Sequence, residues 1–143
     1  MMRTRDIEQK EFFAGVTPLR LYRALMDSDQ HSAFTGQSAL ISPKVGGAFH
    51  VFDGYASGRN IKLEPPRLIM QTWRADDWPA GTESTVIYSM RALRGGTELT
   101  FRQTGVPSGF ATSVAKGWHE FYWEPLRLFF GPPKEKKRTS GMR

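Results

Sequence analysis

Residues 115–126 read AKGWHEFYWEPL, with four aromatic rings, Trp118, Phe121, Tyr122 and Trp123, inside six positions. Gly117 precedes them, and Pro125 stands where helical periodicity should carry on. At 100° per residue, Phe110, Val114, Gly117, Trp118, Phe121, Pro125, Leu128 and Phe129 share about a third of the helix circumference, the width of a buried stripe. The spacing therefore predicts a long terminal helix lying on another layer. Pro125 cannot donate to the carbonyl of Phe121 and its ring crowds that turn, so a kink is expected there. Gly117 is a second weak point, about 1 kcal/mol less favourable than alanine. A helix flawed twice suits a layer that curves away beneath it. On the opposite side, Trp123, Leu126 and Phe130 follow i, i+3, i+7 spacing among Lys116, His119, Glu120 and Arg127. They are expected to be exposed and to form a contact surface, most simply of a homodimer, because a tryptophan-centred patch is unfavourable in water and typical of interface anchors. The alternative is that the first strand or the tail covers them.

The layer beneath is legible in the rest of the chain. Ile7 to Phe13 reads as a strand, with Ile7, Phe12 and Phe13 among charges. Thr17-Pro18 opens a short helix carrying Leu19, Tyr22, Leu25 and Met26, with the threonine as N-cap and the proline at the first helical position. Asp27 to Asp29 end it and cap a second, Gln30 to Phe34, stopped by Gly36. Six strands follow, each bounded by turn residues: Ala39–Ser42, AFHVF from Ala48, Gly58–Leu63, RLIMQTWR from Arg67, STVIYSMRAL from Ser84, and TELTFRQT from Thr97. Alternation places Val86, Tyr88 and Met90 on one face with Leu99, Phe101 and Gln103, and leaves Ser89, Arg91, Glu98, Thr100 and Arg102 on the wet one. Glycines 46, 47, 54 and 58 mark bulges or close approaches that bend a sheet.

The expected fold class is α+β: a seven-stranded curved antiparallel sheet, two short helices and one long C-terminal helix enclosing a cavity, the helix-grip arrangement. A bent sheet, a broken rod and two small helices cannot touch everywhere, so a hollow is expected between them, with complete filling by the large rings as the alternative. Trp73, Tyr88, Phe101, Trp118, Phe121 and Tyr122 should line it, and the Tyr88 hydroxyl and Gln103 amide, polar groups on apolar faces, should orient a ligand or an ordered water.

Composition narrows the function. With 143 residues and hydrophobic and charged fractions of 39% and 24%, a single globular domain is expected over 1–130. No cysteine is present, which excludes disulfides, thiolate nucleophiles and cysteine-based zinc sites. No apolar run is long enough to span a bilayer and the N-terminal stretch lacks the apolar core of a secretory signal, so a cytoplasmic location is expected. The net charge of +6 is concentrated at one end: residues 131–143 hold five basic residues and one acid, +4 of the total, leaving +2 for the rest. GPPKEKKRTSGMR reads as a disordered, solubilising basic tail, with Lys134, Lys136, Lys137 and Arg138 as a weak anion site at most. Arginines on the wet face of a sheet are routine, so no nucleic-acid platform is predicted.

Chemistry has few candidates. No two of His31, His50 and His119 have metal-ligand spacing, and neither a zincin, a nucleophile-elbow nor a phosphate-loop motif occurs. No metal and no cofactor are expected. His50 and Asp53 are an odd number apart and tend to opposite faces, so they make no base and orienter. His31, beside Ser32 near the expected cavity mouth, reads as a surface residue of its helix before a general base. Gly46-Gly47 has no helix after it, and a tight turn explains it better than a phosphate cradle.

The ordered set Phe34-Thr35-Gly36, Val45-Gly46-Gly47-Ala48-Phe49, Phe52-Asp53-Gly54-Tyr55 with Gly58, Trp73-Arg74, Gly96-Thr97-Glu98-Leu99, and Gly117-Trp118 with Tyr122 and Pro125-Leu126 resembles the activator of Hsp90 ATPase homologue family, over residues 7 to about 130. That family sits in the superfamily of START lipid-transfer domains and the birch-pollen allergen. The resemblance implies the fold and a cavity for small apolar molecules. The eukaryotic co-chaperone that names the family carries an additional N-terminal domain, outside these residues, so the resemblance implies less about activity. The expected function is non-enzymatic binding of a small hydrophobic or lipid-like ligand. The alternatives are a chaperone-associated, stress-related interaction module and a cyclase or hydrolase acting in the cavity.

Overall fold

The computed structural model describes residues 3–132. The basic tail expected over 131–143 therefore lies, from 133 onward, outside the described residues. Seven strands form one antiparallel sheet in the order β1-β7-β6-β5-β4-β3-β2. They are β1 Thr4–Ala14, β2 Leu40–Ile41, β3 Ala48–Val51, β4 Ala56–Glu64, β5 Leu68–Ala75, β6 Ser84–Leu93 and β7 Gly96–Pro107. Only β1 pairs away from its sequence neighbours, zipping against β7 with Ile7 opposite Gln103, Gln9 opposite Phe101 and Phe13 opposite Thr97. The sheet is curved and open, and the long C-terminal helix covers it as expected.

The two small helices begin where their caps dictate. In α1, Pro18–Met26, the Thr17 side chain accepts from the Arg20 N–H at 3.2 Å and proline takes the first turn. Tyr22, Leu25 and Met26 are buried as the spacing predicts, whereas Leu19 is exposed. In α2, Ser28–Thr35, the Asp27 carboxylate accepts from Gln30 N–H at 2.9 Å, and Gly36 ends the helix at φ 75°.

Alternation sets the buried face of β5, β6 and β7, whereas β4 is interrupted by a register shift between Asn60 and Lys62. Ile69, Gln71, Trp73 and Ala75 of β5, Val86, Tyr88 and Met90 of β6, and Leu99, Phe101 and Gln103 of β7 are all buried. In β1 the inward set is Ile7, Gln9, Glu11 and Phe13, so Phe12 faces out and is 42% exposed. His50 faces solvent, and Gly46-Gly47 forms a tight turn before β3, the Gly47 N–H donating to Lys44 O at 2.9 Å.

The terminal helix is built in three pieces: α3 Ala111–Trp118, a π-helical turn His119–Trp123, and α4 Glu124–Phe130. The Glu124 N–H donates five residues back, to His119 O. The break expected at Pro125 is therefore taken up just before it, as one widened turn that accommodates a residue unable to donate.

That turn corrects the assignment of Trp123, Leu126 and Phe130 to an exposed interface. A π turn holds one residue more than an α turn, so the inward face moves by one position past Trp118. Trp123 and Leu126 are fully buried, and Phe130 is partly buried against Phe13 at 6.3 Å. By the same shift Phe121, Leu128 and Phe129, placed in the buried stripe by uniform spacing, turn outward to 51%, 84% and 37% exposure. What covers the Trp123 face is β1: the indole N–H donates to Gln9 Oε1 at 2.6 Å, and Gln9 Nε2 donates to Ala115 O at 2.9 Å. Arg127 completes the seam, donating to Glu11 at 2.8 Å and lying 4.6 Å over the Phe13 ring.

Candidate functional site

Trp118 is the hub of the interior. Its ring lies 4.3 Å from Phe101, 4.4 Å from Tyr122, 5.6 Å from Trp123, 5.7 Å from Trp73 and 6.1 Å from Tyr88. One chain of hydrogen bonds holds it: Trp118 Nε1–H donates to Gln103 Oε1 at 2.7 Å, Gln103 Nε2 donates to Ser84 Oγ at 2.9 Å, and Ser84 donates to Trp73 O at 2.8 Å. Both ends of the Gln103 amide are thus engaged within the protein, and it positions the Trp118 indole. Between the sheet and the helix the interior is packed with these rings. What remains is a cleft of about 610 Å³ at the surface, between the terminal helix, β5 and the β3–β4 turn.

Of the residues predicted to line a cavity, Trp73, Trp118, Phe121 and Tyr122 border this cleft. Tyr88, Phe101 and Gln103 do not; all three are buried one layer behind it. Residues that sequence reasoning missed complete the border: Phe52 and Tyr55 from the β3–β4 turn, Gln37 from the α2–β2 loop, and Ser113, Lys116 and Glu120 from the helix. Phe52 is the most informative. It and Asp53 adopt left-handed backbone, φ 54° and 56°, a conformation unfavourable by about 1–2 kcal/mol for a residue with a Cβ. The Asp53 carboxylate accepts from the Ser38 N–H at 2.7 Å and the Asp53 N–H donates to Ser38 O at 3.0 Å, which pins the turn. The Phe52 ring then packs 5.5 Å from Tyr122 and 6.0 Å from Phe121. Strain held in place by surrounding contacts at a cleft is a common mark of a functional wall. The turn was visible as Asp53-Gly54, but no periodicity marks where Phe52 would point.

Behind the cleft lies a buried polar pair. His31 Nε2 and the Tyr122 hydroxyl are 2.9 Å apart. His31 was expected on the helix surface near a cavity mouth; instead it is 1% exposed, because α2 turns the face it shares with Phe34 onto Phe52 and Tyr122. Burial lowers its pKa to about 4, partly offset by a backbone hydrogen bond, and it is neutral at pH 7. Burial also pushes the Tyr88 and Tyr122 hydroxyls well up. At the rim, desolvation and then Asp77, which accepts from the Tyr55 hydroxyl at 2.9 Å, raise Tyr55 to about 12. Among the described residues no group of three or more acidic or histidine side chains could hold a metal ion, and no helix is long and apolar enough to cross a membrane.

A curved antiparallel sheet gripped by a terminal helix, with an aromatic cleft between them, defines a helix-grip protein. The family described as activator of Hsp90 ATPase homolog 1-like protein matches residues 15–131, and the chain belongs to that family. It is 33% identical over 128 residues to the human activator of 90 kDa heat shock protein ATPase homolog 1, covering 90% of this chain and 38% of the human protein. It is 25% identical over 123 residues to the Saccharomyces cerevisiae Hsp90 co-chaperone AHA1, covering 82% of this chain and 35% of the yeast protein. The chain thus spans well under half the length of these relatives. Among solved structures, an HSP90 activator from Plasmodium falciparum superposes with a TM-score of 0.81 at 24% identity, covering 94% of this chain and 100% of that one. CalU16 from Micromonospora echinospora does so with 0.76 at 22%, covering 90% and 78%. Both likenesses speak to the fold.

Proposed function

We propose that this chain binds a small hydrophobic ligand, without transforming it, in the cleft between the terminal helix and the sheet. The observation that carries this reading is the cleft itself: about 610 Å³ bordered by Phe52, Tyr55, Trp73, Trp118, Phe121 and Tyr122, a size and wall typical of small-molecule sites. Phe121 stays half exposed at its mouth although burial would stabilise a phenylalanine by about 1.5–3 kcal/mol. A ligand seated there would remove that surface from water. The reading that a cyclase or hydrolase works here relied on His31 and Tyr88, and both lie buried behind the wall. Native mass spectrometry of freshly purified protein should find a bound small molecule that Phe121→Ala releases. Protein that carries nothing, and takes up nothing from a panel of apolar compounds, would remove the proposal.

A second reading, contact with an Hsp90-type chaperone, is favoured by the likeness to the human Hsp90 ATPase activator homolog and the yeast Hsp90 co-chaperone. Its test is the ATPase rate of a purified Hsp90 with and without this chain. An unchanged rate, together with no co-sedimentation, would dispose of it.

A further inference from the structure

Five of the ten large apolar side chains exposed among the described residues, Phe12, Leu19, Leu93, Leu128 and Phe129, gather at one corner of the fold. Phe12, Leu128 and Phe130 line a groove of about 360 Å³ with Pro132. The Phe12 ring lies over Gly96, where an added Cβ would come within 2.8 Å of it, and Gly96 faces Leu93 across the β6–β7 hairpin. Arg20 holds its guanidinium 4.9 Å over the Phe130 ring, which brings α1 and its exposed Leu19 to the same place. Phe129 stands 5.6 Å from Phe130, and Leu128, at 84%, is the most open of the set. Exposed apolar side chains scattered singly are ordinary, whereas a gathered set marks a docking face.

The charge at this corner says what docks there. Arg94 follows Leu93 in the hairpin turn, Arg23 lies one helical turn from Leu19, and Arg20 and Arg127 lie over Phe130 and Phe13. The acids of β1, β7 and α4 are engaged or set back. Arg102 faces Asp6 and Glu8, Arg127 binds Glu11, Arg91 binds Glu98, and Glu124 precedes Leu128 by one turn. From Pro132 the chain runs on into eleven residues with five basic side chains and one acid, so a further charge of +4 begins at the patch. Two copies meeting through this corner would set arginine against arginine. Cations spread over α1, α4 and a hairpin turn, beside protruding apolar side chains, call for no partner of fixed contour. A layer of anionic headgroups over acyl chains matches both features. We propose that this corner docks on the surface of a bilayer containing anionic phospholipid, with Leu128 and Phe129 entering the acyl boundary and the arginines and basic tail holding the headgroups. The cleft takes no part, so this proposal stands apart from the ligand reading.

The test sediments the full chain with vesicles of phosphatidylcholine alone and of phosphatidylcholine with about one-third phosphatidylserine. Binding is expected to the anionic vesicles only, and to fall steeply in about 1 M salt, where the screening length shrinks to about 3 Å. Leu128→Gln should weaken it about tenfold and Arg94→Gln about fivefold. Ile61→Gln, on β4 four strands from β1, should bind like wild type. All three positions are exposed, so circular dichroism should show unchanged folds. No binding to either vesicle, equal binding to both, or wild-type binding by Leu128→Gln would overturn the proposal, the last because the basic tail alone would then suffice. Association with polyglutamate but with neither vesicle would assign the face to an acidic peptide and overturn it too. Should a variant not fold, wild type still decides. In bicelles of the anionic mixture, nitroxide-labelled lipid should broaden the backbone signals of Leu93 and Leu128 and leave those of Tyr55 and Ile61 sharp, and the reverse would overturn the docking face.

Discussion

At the scale of single residues, His31 shows how strongly burial governs chemistry. Its folded pKa of about 4 lies below the ordinary 6.5 because a charged imidazole would lose its hydration among Phe34, Phe52 and Tyr122. Between those two values the unfolded chain binds the proton and the folded one does not. Stability from this group is therefore fully present above pH 6.5 and is lost as pH falls through 6.5 towards 4. A displacement of this size corresponds to about 2–3 kcal/mol between pH 7.5 and 4.5. Urea unfolding of wild type and His31→Gln at both pH values should show wild type losing that much more than the variant. Parallel losses would mean that His31 titrates normally. From sequence the residue read as surface because α2 carries a weak apolar pattern, SDQHSAFT. What buries it is Phe34 of its own helix together with two rings drawn from other elements, Phe52 and Tyr122, and no local spacing records those two.

At the scale of elements, the decisive piece is the π turn His119–Trp123. Uniform helical spacing placed Trp118 correctly and then put Phe121 inside and Trp123 outside, the reverse of what the structure holds. Pro125 told that the helix must be disturbed, but the same proline allows a kink, a break or a widened turn. The choice is made by what Trp123 gains on β1, burial of a large ring and a hydrogen bond to Gln9. If so, deleting Glu120 should let an ordinary α turn carry Trp118 and Trp123 four residues apart on the same face. That deletion is expected to lower stability by less than Trp123→Ala does in the same denaturation assay; a larger loss would show that the widened turn itself is required. The strands behave more simply. Gly58 on β4 lies so close to β5 that a Cβ would run into the Thr72 carbonyl oxygen and the Phe49 ring. Gly58→Ala should destabilise by about 2–3 kcal/mol, as overpacking does, and a melting temperature within 2 °C of wild type, roughly the scale of scatter for a neutral surface change, would contradict the close approach.

At the scale of the whole molecule, the surface expected to join two copies proves to be the internal seam that fastens β1 to the terminal helix. Gln9, Glu11 and Phe13 meet Trp123, Arg127 and Phe130 across it. Trp123→Ala is therefore expected to act on folding, with a loss of about 3–5 kcal/mol in chemical unfolding. A variant that kept wild-type stability while changing its sedimentation would restore the interface reading. The same packing decides where the functional space lies. Trp118 gathers five rings around it in the interior, and the cleft opens at the surface beside the strained Phe52 turn, where Phe121 is left half exposed.

The sequence alone determined the order of elements, the strand faces, the caps of α1 and the family resemblance, because each depends on short-range periodicity, turn chemistry and residue sets adjacent in the chain. Val86, Tyr88, Met90, Leu99, Phe101 and Gln103 all pointed where a period of two put them. Only the tertiary structure decided the phase of the terminal helix after Trp118, the burial of His31 and the recruitment of Phe52 and Tyr55 to the cleft. Each of those turns on contacts between residues tens of positions apart, whose packing energy overrides the local preference that spacing reads.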